Sequence, residues 1–142
     1  MAKLEVNGFD ALMDDFMALA SLPDSVTDGI LDAEADVVVE AQKKAMSEMW
    51  KGPYSTGDTA RAVKKTKVRK NSSGKYITVY PQGRNRKGER HAAVAFINEY
   101  GKRGQPGRPA IRTANEAAAD KAAAAGEKVY NDFLDNKSYN FI

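Results

Sequence analysis

The chain has no cysteine, and only one histidine, His91, among its 142 residues. The first absence excludes disulfides, thiolate metal sites and thiol nucleophiles, and favours an intracellular place of synthesis. The second leaves no histidine cluster for zinc. Long apolar runs are missing as well. No window approaches the roughly 20 apolar residues of a membrane span, and Met1 to Val6 carry no stretch of signal length. The expectation is a protein made in the cytoplasm, with no membrane partner, folded as one domain over residues 1–142, with a modest core and a flexible tail from about residue 136.

Acidic side chains are scarce in the middle of the chain. Residues 51–112 hold sixteen basic and three acidic residues, whereas residues 1–50 hold three basic and eleven acidic ones. The last thirty residues are mildly acidic, with three basic and five acidic side chains. A basic block between acidic flanks can meet nucleic acid, or the acidic part of a neighbouring copy.

Hydrophobic spacing gives the element plan. Phe9, Leu12, Met13, Phe16 and Leu19 recur at helical steps and predict a short amphipathic helix over 8–20 that Pro23 ends. A second helix of about six turns, capped at Asp24 or Thr27, follows, with an apolar face through Ile30, Val37, Val38, Ala41, Ala45 and Met49. Gly52 and Pro53 stop it, and Thr56 or Asp58 can cap a short helical turn through Ala62. Residues 63–70 read as a solvated edge strand, Asn71 to Gly74 as a hairpin loop and Tyr76 to Tyr80 as a strand. In that strand Ile77 and Val79 share one face, and Tyr76, Thr78 and Tyr80 share the other.

Gln82 to Arg90 read as a polar, positive loop, mobile when free. Residues 91–100 fit a helical stripe of Ala93, Phe96, Ile97 and Tyr100 or a strand alternation; a helix capped at Gly101 is the favoured reading. A last helix runs from about Pro109 to about Asp135 along Ile111, Ala114, Ala118, Ala122, Ala125, Val129 and Phe133. The fold class expected is α+β: a small antiparallel sheet packed against long N-terminal and C-terminal helices.

Catalytic chemistry finds little support. His91 could serve as a base with Glu89 or Glu99 orienting it, but no motif surrounds it, and a surface or packing role is the simpler reading. Gly101, Gly104 and Gly107 lack the lysine and the Ser/Thr of a phosphate-binding loop. Asp14, Asp15, Asp24 and Asp28 match no calcium loop. No cofactor is expected. The basic residues Lys64, Lys65, Lys67, Arg69, Lys70, Arg84, Arg86, Lys87 and Arg90 are candidate contacts to DNA phosphates or an acidic partner, although aromatics are not interleaved with them in sequence.

The order of an acidic helical region, Gly52-Pro53-Tyr54-Ser55-Thr56-Gly57-Asp58-Thr59-Ala60-Arg61, a basic strand region, Phe96-Ile97-Asn98-Glu99-Tyr100-Gly101 and Arg108-Pro109-Ala110-Ile111-Arg112 resembles the tail-completion, or head-to-tail joining, proteins of long-tailed bacteriophages and prophages. The resemblance spans about residues 5–135. Thr56-Gly57 matches that family's turn after the long helix, Glu99-Tyr100-Gly101 its acidic-aromatic-glycine signature, and Arg108-Pro109 its lead into the last helix. Ala110-Ile111 stands where an aromatic is frequent, and Thr113 replaces a second proline.

The resemblance implies a non-enzymatic neck or upper-tail subunit located in the virion, assembled as a ring, a hexamer being one form. Connector, tail-terminator or tail-tube proteins would be its partners, and DNA would pass nearby. Phe96, Ile97, Glu99, Tyr100, Gly101, Arg108, Pro109 and Ile111 are then the candidate docking residues. Phe96, Ile97 and Tyr100 are expected to hold the docking loop on the core. The acidic helix around Asp28 to Glu40 is expected to meet the basic middle of the next copy.

Overall fold

The computed structural model describes residues 22–52 and 55–138, the last two by their backbone alone. The helix expected over 8–20, together with Pro53, Tyr54, Tyr139 and Phe141, lies outside the described residues. Two long helices, α1 (Asp24–Met49) and α4 (Ala110–Ser138), form the frame. Between them come α2 (Asp58–Arg61), β1 (Val63–Lys65), β2 (Arg69–Asn71), β3 (Gly74–Tyr76), β4 (Val79–Pro81), α3 (His91–Tyr100), β5 (Gly101–Lys102) and β6 (Gln105–Pro106). The class is α+β, as the sequence predicts.

Helices α1 and α4 run antiparallel, because early α1 meets late α4: Gly29 lies beside Val129, and Gln42 donates to Asn115 through Nε2 at 3.0 Å. The contact is close because α4 presents small residues every fourth position. Ala110, Ala114, Ala118 and Ala122 are buried, and Gly126 leaves room for the Glu34 side chain. A stripe with almost no side-chain bulk lets two helix backbones approach and loses little rotamer entropy on packing. This stripe matches the one read from the sequence, and the helix continues past residue 136, where a flexible tail was expected.

On α1 the buried centre is Ala35, Gln42 and Met46, flanked by half-buried Val38, Val39 and Met49. The expected face is rotated toward a polar residue, since Gln42 takes an inside position by bonding Asn115. Neither Asp24 nor Thr27 caps the helix. Its N-cap is Pro23, whose carbonyl accepts from Val26 and Thr27. The core gathers at the C-terminal end of α1, where Met46, Trp50, Ala60, Val63, Ala95 and Ala110 pack together.

The strands form one interrupted hairpin and one short one. β1 pairs with β4 in the register Val63↔Pro81 and Lys65↔Val79, whereas β2 pairs with β3 as Arg69↔Tyr76 and Asn71↔Gly74. Residues 66–68 therefore face only residues 77 and 78, a one-residue bulge bridged by the Thr66 N–H donating to the Thr78 carbonyl at 2.9 Å. The continuous strand expected over 76–80 is thus broken, although its alternation survives. Ile77 and Val79 turn inward, while Tyr76, Thr78 and Tyr80 are exposed. Asn71 Oδ1 closes the loop by accepting from the Ser73 N–H at 2.8 Å, and Gly74 follows at φ 128°.

Residues 91–100 are helical, which settles the ambiguous period, but the expected inner stripe is the outer one. His91, Ala95 and Glu99 are buried, while Phe96, Ile97 and Tyr100 are 62%, 41% and 72% exposed. The apolar period was real; its direction was not legible. A buried carboxylate with strong partners displaced the aromatic face to the outside.

Candidate docking site

Three helix ends meet where Phe96 to Ala110 passes. Pro109 precedes α4 and offers no side chain to its free N–H groups, so the first turn needs an acceptor from elsewhere. Glu99 supplies it. Its Oε2 accepts from the Ile111 N–H at 2.8 Å, and its Oε1 accepts from the Arg112 N–H at 3.0 Å. A carboxylate here also meets the positive end of the α4 dipole.

Arg108 does the converse for α1. Its Nη1 donates to the carbonyls of Met49 and Lys51 at 3.1 and 3.3 Å, and its Nη2 donates to Asn98 Oδ1 at 3.3 Å. A guanidinium on the last carbonyls of a helix satisfies acceptors that have no intrahelical partner. Trp50 Nε1 completes the clasp by donating to the Arg108 carbonyl at 2.8 Å. Two docking candidates, Glu99 and Arg108, thus spend their polar groups inside the chain.

Between them, β5 and β6 form a tight hairpin with Gly104 at φ 82°. Gly101 has φ 84°, and a Cβ there would come within 2.6 Å of the Gln105 carbonyl oxygen and the Gly107 nitrogen. A Cβ on Gly107 would meet the Glu99 carbonyl oxygen at 2.7 Å. These two glycines permit a backbone crossing that no other residue allows. Pro109 is exposed, while Ile111 is half-buried and packs against the core.

Outside this clasp the surface of α3 is apolar. The Phe96 and Tyr100 rings touch at 4.8 Å between centroids, tilted by 50° to each other, and Ile97 is exposed on the same helix. Arg90 stands at one end of the helix, and Lys102 and Arg103 at the other; all three are exposed.

The basic candidates separate into two groups. Lys65 is half-buried and paired with Asp32 and Asp36 at 2.8 and 2.7 Å. Lys75, not singled out in the sequence, bonds Asp24 and Asp28 at 2.7 and 2.9 Å. Asp24, Asp28, Asp32 and Asp36 recur every fourth residue, so they line one face of α1, and the hairpin lies on that face through these two lysines. The acidic helix expected to meet a neighbour is, over this stretch, engaged by its own chain. Four-residue spacing of aspartate was the available signal for it.

The ion pairs shift their groups in the directions that attraction requires. Hydrogen bonding from Lys75 holds the Asp24 carboxyl below its ordinary value, and Asp24 and Asp28 raise Lys75. Bonds to Asp32 and Asp36 likewise raise Lys65. The depressed Asp24 contributes stability that is present above its unfolded pKa, about 3.9, and is lost as pH falls through its lower folded value. The raised lysines contribute stability that is full below about 10.4 and fades as pH climbs through their folded values. Lys75→Met should therefore flatten stability against pH at both extremes and reduce its salt sensitivity, measured by urea midpoints at acid, neutral and alkaline pH. Identical profiles for the variant and the parent would show that the clamp carries no linkage.

Lys64, Lys67, Arg69, Lys70, Arg84, Arg86, Lys87 and Arg90 remain exposed. Strand pairing sets Lys64 opposite Tyr80 and Arg69 opposite Tyr76, so aromatic and basic side chains share the outer hairpin face. The interleaving absent from the sequence is created by folding.

The loop from Gln82 to Arg90, expected to be mobile, closes on itself. Asn85 Oδ1 accepts from the Lys87 and Glu89 N–H groups at 3.0 and 2.9 Å, and the Arg84 Nη1 donates to the Gly88 carbonyl at 2.8 Å. Beside it a cleft of about 350 Å³ is lined by Arg61, Lys64, Arg84, Arg86 and His91, with Asp58 held by Arg61. His91 is buried, and its Nδ1 has no hydrogen-bond partner among the described residues. No group of three or more metal-ligating side chains occurs among the described residues. Sequence reasoning missed Trp50 and Gln42 as organisers; a lone tryptophan just before Gly52-Pro53 was the visible hint.

No protein-family model, curated protein or solved structure matches this chain.

Proposed function

We propose that the protein is a non-enzymatic structural subunit of a phage neck or upper tail, which works by assembling with copies of itself into a ring. The observation that carries this reading is the apolar outer face of α3, exposed yet fixed to the molecular frame by the Glu99 and Arg108 clasp. An aromatic patch presented on a rigid element loses little entropy when it docks, which suits a subunit whose task is geometric. Ring closure requires a heterologous contact, so α3 would meet a different surface of the next copy. The motif order that resembles tail-completion proteins supports the setting.

The second reading is contact with nucleic acid backbone, which the outer hairpin face favours through Lys64, Arg69, Tyr76 and Tyr80. One sample distinguishes them: mass in solution across a range of salt concentrations, together with binding of duplex DNA. A closed oligomer whose mass survives Tyr76→Ser and Tyr80→Ser but falls to that of a monomer with Tyr100→Ser is the expected result. A stable monomer binding DNA below micromolar concentration would favour the nucleic-acid reading instead.

A further inference from the structure

We propose that the outer face of α3 receives the amphipathic N-terminal segment, residues 8–20, of the next copy. The inference deepens the assembly reading by naming the segment that docks. Three observations carry it.

The first is fit of character. Phe9, Leu12, Met13, Phe16 and Leu19 form one apolar stripe at helical spacing, and a stripe of that kind needs an apolar surface to cover it. Phe96, Ile97 and Tyr100 offer a surface of the same width on one helix of ten residues. Helix-on-helix packing through such stripes is a recurrent mode of recognition.

The second is charge. Residues 1–21 contain Glu5, Asp10, Asp14 and Asp15 against Lys3. On a helix, Asp10 and Asp15 border the two edges of the apolar stripe. The receiving face is bordered by Arg90 at one end and by Lys102 and Arg103 at the other, and the one acid of α3, Glu99, is buried in its bonds to α4.

The third is reach. Residue 22 adjoins the N-terminal end of α1, whereas α3 packs at the other end, where Ala95 and Trp50 share the core. The 26 residues of α1 separate these ends by about 39 Å. From residue 22, a span of two residues and the thirteen-residue helix 8–20 extend about 27 Å at most. The segment, as the helix its spacing predicts, cannot cover its own α3, but it can cover that of a neighbour. The contact is directional, one copy giving and the next receiving, as a ring requires.

The cysteine-free chain permits a direct test with the full-length protein. Met13→Cys in one sample and Ala93→Cys in another, the second carrying a size tag, are mixed and treated with a short bis-maleimide. The expected product is the mixed dimer, with little dimer of either variant alone. Adding Tyr100→Ser to the Ala93→Cys copy should lower the yield about tenfold, the factor for losing one aromatic anchor. Ala119→Cys, exposed on α4, serves as the control. A yield no higher than this control overturns the proposal, whether the sample is oligomeric or monomeric. If mass measurement finds oligomers while the cross-link fails, assembly stands and only the named segment falls. A diluted Met13→Cys/Ala93→Cys double variant that links within one chain also overturns it.

Discussion

Gly107→Ala should destabilise the protein by about 2–3 kcal/mol, with Gly101→Ala more damaging still. In both cases the added Cβ meets main chain: the Glu99 carbonyl oxygen at 2.7 Å for Gly107, and the Gln105 carbonyl oxygen and Gly107 nitrogen at 2.6 Å for Gly101. Backbone cannot swing aside as a long side chain can, so relief demands moving α3 against α4. Overpacking of a tight site costs about 1–3 kcal/mol, and the extended positive-φ conformation of Gly101, at φ 84° and ψ 177°, adds about 1–3 kcal/mol for a residue with a side chain. Gly52→Ala is the comparison, since a Cβ there meets nothing within 4 Å. Urea titration of the three variants checks the ranking. A loss below about 0.5 kcal/mol at Gly107, the range of an ordinary surface change, would mean that the crossing is looser than described.

Glu99→Ala should cost about 2–4 kcal/mol, because it strips the first turn of α4 of both acceptors. The part-buried Ile111 and Arg112 N–H groups would lose their partners beside the buried Ala110; a donor left unsatisfied costs about 1–3 kcal/mol when buried, and the exposure of Arg112 keeps the sum toward the low end. Glu99→Gln separates charge from geometry. It retains one acceptor but removes the attraction of a carboxylate to the helix N-terminus, worth up to about 2 kcal/mol in a partly buried setting, and should fall between parent and alanine. Amide hydrogen exchange at Ile111 and Arg112 reads the cap locally. Unchanged protection in Glu99→Ala would refute its role, whatever happened to global stability.

These effects explain why the strongest motif in the chain was legible as a motif but not as a device. Helix-forming periodicity located α1, α3 and α4, since local spacing suffices to define an amphipathic element. What spacing cannot supply is the partner. Glu99 finds its acceptor role twelve residues downstream, and Arg108 reaches back 59 residues to Met49. Both contacts depend on the chain crossing itself at Gly101 and Gly107. The α3 stripe was read inside out for the same reason, since Phe96 and Tyr100 look like core until Glu99 is known to be bonded inside. Lys65 and Lys75 were likewise members of a positive block in sequence and became internal clamps only once the hairpin lay on the aspartate face.

The bulge at residues 66–68 has a consequence for how this surface can change. In a regular ladder, Val63 and Arg69, six residues apart, would point the same way. The extra residue reverses the phase, so that Val63 is buried while Arg69 stands outside opposite Tyr76. The bulge therefore lets a strand with one residue more than its partner keep Lys64 and Arg69 on the same outer face. Losing one residue in that stretch would leave a regular ladder with Arg69 still opposite Tyr76, because Val63 and Arg69 would then be five residues apart and would point opposite ways without a bulge. The cationic face of the hairpin is thus insulated from the loss of its extra residue, and substitution at the outward positions is what would change it.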